Sequence, residues 1–145
     1  MLDINKEIKQ AMLDKDSVKL ASLRAVKSAV IMAQTEKGAS EMDEAGMQKI
    51  IQKQVKQRKD AAQIYIDQSR QDLADDEIAQ IKILEKFLPK QMDESEIKTI
   101  VEEVISSTGA TSMADMGKVM GLVNQKLAGK ADGKIIAQIV KATLA

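Results

Sequence analysis

Two glycine–lysine segments near the end of the chain carry the residue types best suited to touching an anion. Gly129-Lys130-Ala131-Asp132-Gly133-Lys134 brings two Gly and two Lys to the expected start of a helix, where free amides and the helix dipole favour negative charge. A nucleotide P-loop requires Gly-x-x-x-x-Gly-Lys-[Ser/Thr]. Here Asn124 replaces the first Gly and Ala131 the hydroxyl, so ATP or GTP binding by that route fails. What remains is contact with a nucleic-acid phosphate or, as the bland alternative that the spacing favours, a tight inter-helix turn with solvated lysines. Upstream, Gly117-Lys118-Val119-Met120-Gly121 sets two glycines four apart inside a helix. Each costs about 1 kcal/mol relative to Ala, so something should offset it. Close helix–helix packing is the favoured reading of this pair. A bare backbone face that lets an RNA backbone approach is the functional one.

Covalent and acid–base chemistry finds little support. The chain has no Cys and no His, which removes disulfides, Cys/His zinc sites, thiol nucleophiles and imidazole bases. Neither a Gly-x-Ser-x-Gly elbow nor a supported Ser-x-x-Lys appears. The acidic clusters Glu41-Met42-Asp43-Glu44 and Asp75-Asp76-Glu77 are read as first-turn acids that favour helix N-termini. No catalytic residue, metal or organic cofactor is therefore expected. Trp is absent, and Tyr65 and Phe87 are the only aromatics, too few for a base-stacking platform.

Charge is balanced overall but unevenly placed. Lys+Arg and Asp+Glu each number 22 in 145 residues, which argues against gripping nucleic acid or an anionic membrane by bulk charge, and neither DNA nor a membrane is expected as a partner. Gln91 to Gly109 holds one Lys against five acids, whereas Ala110 to Ala145 holds five Lys against two Asp. A second basic face lies between Lys49 and Lys59, where Lys49, Lys53, Lys56, Arg58 and Lys59 occur with no acid. Such runs are usually solvated helix faces; two together raise the prospect of RNA contact.

Helical periodicity runs through every long segment, and no strand is needed. Ile4, Ile8, Ala11 and Met12 give a short helix that ends near Asp14-Lys15-Asp16. The next, Ser17 to about Thr35, is apolar on most sides and is expected to be central and buried on several faces, with Ala21, Ser22, Ala25 and Ala29 allowing close approach. Gly38, Ala39 and Ser40 mark a break. A long polar helix from about Asp43 to Ser69 carries a thin apolar stripe of Met47, Ile51, Val55, Ala62 and Tyr65. A fourth helix bears Ile78, Ile81, Leu84 and Leu88, and Pro89 stops it. Asp93 with Glu96 forms a capping box before Ile97, Ile100, Val101, Val104 and Ile105, and Gly109 is the C-cap. Ser112 with Asp115 starts a helix whose Met113, Met116, Met120, Val123 and Leu127 are expected in the core. Asp132 caps the last, which buries Ile135, Ile136, Ile139 and Val140. The expectation is all-α: an irregular N-terminal helical array over 1–90, then a three-helix bundle over 91–145.

Several of these motifs are similar to those of a known family. Leu23-Arg24, Lys56-Gln57-Arg58-Lys59-Asp60, Arg70-x-Asp72-Leu73 and Leu84-Glu85-x-Phe87-Leu88-Pro89-x-Gln91 resemble the GatB/YqeY family, YqeY-like proteins in particular. So do Ala114-Asp115-Met116-Gly117-Lys118-Val119-Met120-Gly121 and Gly129-Lys130-Ala131-Asp132-Gly133. The resemblance implies that the C-terminal part is similar to the tail of the B subunit of tRNA-dependent amidotransferases, which engages the outer part of the tRNA. The carbon–nitrogen ligase label of the family, with glutamine as amido-N-donor, belongs to a catalytic cradle with no counterpart here.

The expected function is a non-catalytic tRNA- or RNA-binding accessory module. Lys118, Lys130 and Lys134 would meet phosphate, Gly117 and Gly121 would permit close approach, and Lys53, Lys56, Arg58 and Lys59 would extend the footprint. Asp132 is assigned to capping. A protein–protein module of a translation-related complex is the alternative. Charges every few residues in MLDINKEIKQAM leave no apolar run for a signal peptide, and no stretch reaches a membrane span, so a cytoplasmic protein is expected.

Overall fold

In the computed structural model, which describes residues 2–36, 38 and 41–145, the chain is all-helical, with no strand among the described residues. Among the described residues seven α-helices follow in order: α1 (Ile4–Leu13), α2 (Ser17–Glu36), α3 (Glu44–Asp67), α4 (Gln71–Glu85), α5 (Glu94–Thr108), α6 (Met116–Lys126) and α7 (Gly133–Leu144). The chain divides into two compact units, Met1–Pro89 and Lys90–Ala145. Each carries its own charge balance, 15 basic against 15 acidic residues in the first and 7 against 7 in the second.

Local chemistry sets most helix ends. The Asp3 and Asp43 carboxylates accept from the amides of Lys6 at 3.2 Å and Gly46 at 2.7 Å, so each supplies an acceptor that the first turn lacks. At α5 the capping box is reciprocal: Asp93 accepts from the Glu96 amide at 2.8 Å, and Glu96 accepts from the Asp93 amide at 3.3 Å. Gly109 closes that helix at φ 69°, a left-handed conformation that is inexpensive only for glycine. Arg70 precedes α4, and its guanidinium grips Asp72 through two bonds of 3.1 and 3.0 Å. That exposed pairing holds the Asp72 carboxyl below its ordinary value and raises Arg70. The Asp75-Asp76-Glu77 cluster lies one turn farther into α4 than expected, because the helix already begins at Gln71. Ala39 and Ser40, read as part of the break after α2, lie outside the described residues; Gly38 has φ 74°.

The first unit is built on α2, α3 and α4, with Val26, Val30, Met47, Ile51, Val55, Ile81 and Leu84 in one core. The α1 helix packs on α2, with Ala11 fully buried and Lys19 paired to Glu7 at 3.2 Å. Ser22 fits inside because it is small and because its hydroxyl donates to the Val18 carbonyl at 2.9 Å. The expectation that α2 is covered on several faces is corrected. Leu23, Val26 and Val30 are buried, but Ile31 is 52% and Met32 63% exposed. The unit has too few helices to surround α2, so its wide apolar circumference is left partly open.

The second unit packs α5, α6 and α7 about Ile97, Val101, Val104, Val119, Val123, Leu127, Ile136, Val140 and Leu144. Residues Met113–Asp115 form a 3₁₀ turn ahead of α6 rather than its first α-helical turn. The Ser112 hydroxyl accepts from the Ala114 amide at 3.3 Å, and Asp115 folds back to accept from the Thr111 amide at 3.1 Å. That turn lifts Met113 off the expected stripe to 41% exposure, while Met116 and Met120 stay packed on the core.

Candidate nucleic-acid interface

The α6–α7 connection is a tied-down turn. Gly129 takes φ 75°, and the Lys130 amide donates to the Leu127 carbonyl at 2.9 Å. The preceding segment clasps it from the other side: the Met92 amide donates to the Lys130 carbonyl at 2.9 Å, and Gln91 Nε2 donates to the Gly129 carbonyl at 2.8 Å. Ala131, at the position of a P-loop hydroxyl, is tucked into the core. Asp132 caps α7, its carboxylate accepting from the Lys134 amide at 2.9 Å. An anion at this helix start therefore meets a carboxylate already seated there. Any phosphate contact falls to the Lys130 and Lys134 side chains, both exposed.

Lys118 is also exposed but stands apart from that turn. Eight residues separate it from the end of α6, roughly 12 Å of helix. The surrounding charge is less balanced than residue counting suggests. Both acids beyond Ala110, Asp115 and Asp132, are engaged by backbone amides, and among the described residues no ion pair ties down Lys118, Lys126, Lys130, Lys134 or Lys141. Lys126 and Lys141 were not singled out from sequence; their exposure in the last turns of α6 and α7 places them on the surface of this unit.

Among the described residues of its own unit, the glycine pair of α6 has no packing role. A Cβ at Gly117 or Gly121 would meet nothing within 4 Å, so the close helix–helix approach favoured from sequence is overturned. Gly46 of α3 shows what a tight position looks like, since a Cβ there would stand 2.6 Å from Met42 Sδ and 2.9 Å from Asp43 Oδ1. The α6 glycines lie one helical turn apart, so they share a face, and Asn124, also exposed, continues it. The helix thus bears a strip of exposed backbone with no side chain of its own to shield it.

The basic residues of α3 divide into two kinds. Arg58 is half-buried: its Nε donates to Gln80 Oε1 of α4 at 2.8 Å, and Nη1 donates to Gln54 Oε1 at 2.6 Å and to the Gln54 carbonyl at 3.1 Å. Burial pulls its guanidinium below the ordinary value, and the charge of Glu77 pushes it back up. Lys59 pairs with Glu85 at 3.3 Å. These two residues knit α3 to α4. Lys53 and Lys56 are exposed.

A family model described as "Yqey-like protein" matches residues 2–144. The chain belongs to the YqeY-like family. Similar proteins are named "Altered inheritance of mitochondria protein 41, mitochondrial". That of Vanderwaltozyma polyspora is 27% identical over 123 residues, covering 80% of this chain and 66% of the relative. That of Lachancea thermotolerans is 24% identical over 148 residues, covering 98% and 77%. That of Clavispora lusitaniae is 29% identical over 126 residues, covering 84% and 72%. The chain thus spans about two thirds to three quarters of the length of these relatives. Their names overturn the expectation of a cytoplasmic protein. Lack of an apolar run near residue 1 speaks only to a secretory signal peptide; mitochondrial leaders are amphipathic and are recognised by other features. Among the described residues no helix is long and apolar enough to cross a membrane, and no group of three or more acidic side chains could hold a metal.

Proposed function

We propose that this YqeY-like chain is an RNA-binding accessory module whose partner is tRNA, and that its C-terminal unit engages the RNA backbone. The observation that carries this reading is the uncovered Gly117–Gly121 face of α6. Glycine inside a helix costs about 1 kcal/mol against alanine, and among the described residues of this unit no contact offsets it. A ribose–phosphate backbone could lie closer to such a face than to any other side of the helix. Lys118 beside it, and Lys130 and Lys134 at the α7 start, would supply phosphate contacts. Recognition would follow shape, because A-form RNA offers phosphates and 2′-hydroxyls more readily than base edges, and the chain has no aromatic platform.

Fluorescence anisotropy of bulk tRNA against the full chain, at about 50 and about 200 mM salt, tests this. Three to five phosphate contacts predict a roughly ten- to several-hundred-fold loss of affinity between those conditions. Replacing Lys130 and Lys134 together with Ala should weaken binding and lower the logarithmic salt slope by about two. Absence of saturable binding at the lower salt contradicts the proposal. An unchanged slope in the double variant removes the α7 start from the interface.

A further inference from the structure

The surface of the first unit carries a trough whose apolar floor the RNA reading does not use. It lies between α2 and α3, has a volume of about 300 Å³, and is lined by Ala29, Met32 and Ala33 on one side and Ile50, Gln54 and Gln57 on the other. Only these two helices wall it, so it would leave most of a small molecule in water, whereas ligand pockets cover most of their ligand. A shallow apolar trough running along two helices instead suits a row of side chains projecting from a third helix. Met32, 63% exposed, supplies a flexible thioether that adapts to varied partners.

The charge around the trough says which helix. Lys53 lines its α3 edge, with Lys49 and Lys56 exposed on the same helix one turn to either side. From α2 the lining takes an acid, Glu36, at one end of the trough; the helix period turns Arg24 and Lys27 to the opposite side of α2. Among the described residues none of Lys49, Lys53 and Lys56 is held in an ion pair. The unit as a whole is neutral, and three lysines against one acid leave this rim basic. A second copy of the chain would bring the same cations against them. RNA would satisfy the lysines but would gain nothing from the methyl-lined floor between them.

We propose that the α2–α3 trough is a docking site for an acidic amphipathic helix of a partner protein, whose aliphatic residues enter between Met32 and Ile50 while its carboxylates meet the α3 rim of Lys49, Lys53 and Lys56. This proposal does not rest on the RNA reading of the second unit. The probe is a fluorescein-labelled synthetic helix of about 16 residues, roughly 24 Å long, with leucines on one face and glutamates on both flanks. Its control carries lysine at every glutamate position. The full chain should bind the acidic peptide saturably and at least tenfold more tightly than the basic one. Met32→Glu, at a position exposed enough to preserve the fold, should lower acidic-peptide affinity at least tenfold, and Lys53→Glu two- to fivefold. Met32→Glu should leave tRNA affinity unchanged. Equal affinity for the two peptides, or an acidic peptide indifferent to Met32→Glu, overturns the proposal. Loss of tRNA affinity in Met32→Glu overturns it in favour of an RNA footprint that includes the trough.

Discussion

The α3 helix and the α6–α7 pair both display lysine on a neutral unit, yet the material between their charges differs. Along α3 the lysines border methyl groups and a thioether, and two of the five cations, Arg58 and Lys59, are engaged by α4. In the second unit the lysines accompany bare backbone at Gly117 and Gly121, and the two local acids are engaged by backbone amides. Charge alone would assign both surfaces to the same ligand. Their surroundings separate them, because aliphatic floor rewards a partner with apolar side chains, whereas exposed backbone rewards a ligand that can come close and accept charge.

Removing the floor of the first surface should have the largest effect. Leu84 is fully buried in the core that supports both α2 and α3. Leu84→Ala should cost about 2–5 kcal/mol, read by urea unfolding, and abolish acidic-peptide binding while tRNA binding persists. Parallel loss of both activities would break the distinction between the surfaces. A smaller effect is expected at Arg58, which makes one hydrogen bond across to α4 and two within α3. Arg58→Ala should destabilise by about 1–2 kcal/mol without altering the salt slope of tRNA binding. Lys56→Ala, by contrast, should leave stability within about 0.5 kcal/mol. Smallest, and of opposite sign, is Gly121→Ala. With open space around its Cβ, alanine should stabilise the chain by about 0.5–1 kcal/mol, while tRNA affinity falls. A destabilised variant would restore a packing role for that glycine.

The opposite signs expected at Arg58 and Gly121 reflect how far each was legible from sequence. Features set by a few neighbouring residues could be read directly: the Asp93–Glu96 capping box, the left-handed Gly109 and the Asp132 cap all stand where local spacing put them. The all-helical class followed from periodicity for the same reason. Contacts that cross between helices were not legible. Arg58 reads as one more surface cation until Gln80, 22 residues away, accepts from it. An apolar α2 is compatible with a buried centre or with one wall of an open trough, and only the number of neighbouring helices decides. Gly117 and Gly121 likewise imply close approach of something, but their spacing cannot say whether it comes from within the chain.

The separation of the two surfaces is tested most directly by a methionine-methyl NMR spectrum of the full chain. Its nine methionines include Met32 in the trough and Met113 in the turn that leads into Gly117. Titration with tRNA should shift Met113 and leave Met32 unmoved, and titration with the acidic peptide should do the reverse. If tRNA moves Met32, or if one methyl answers to both ligands, the two basic surfaces form a single interface and their separation is contradicted.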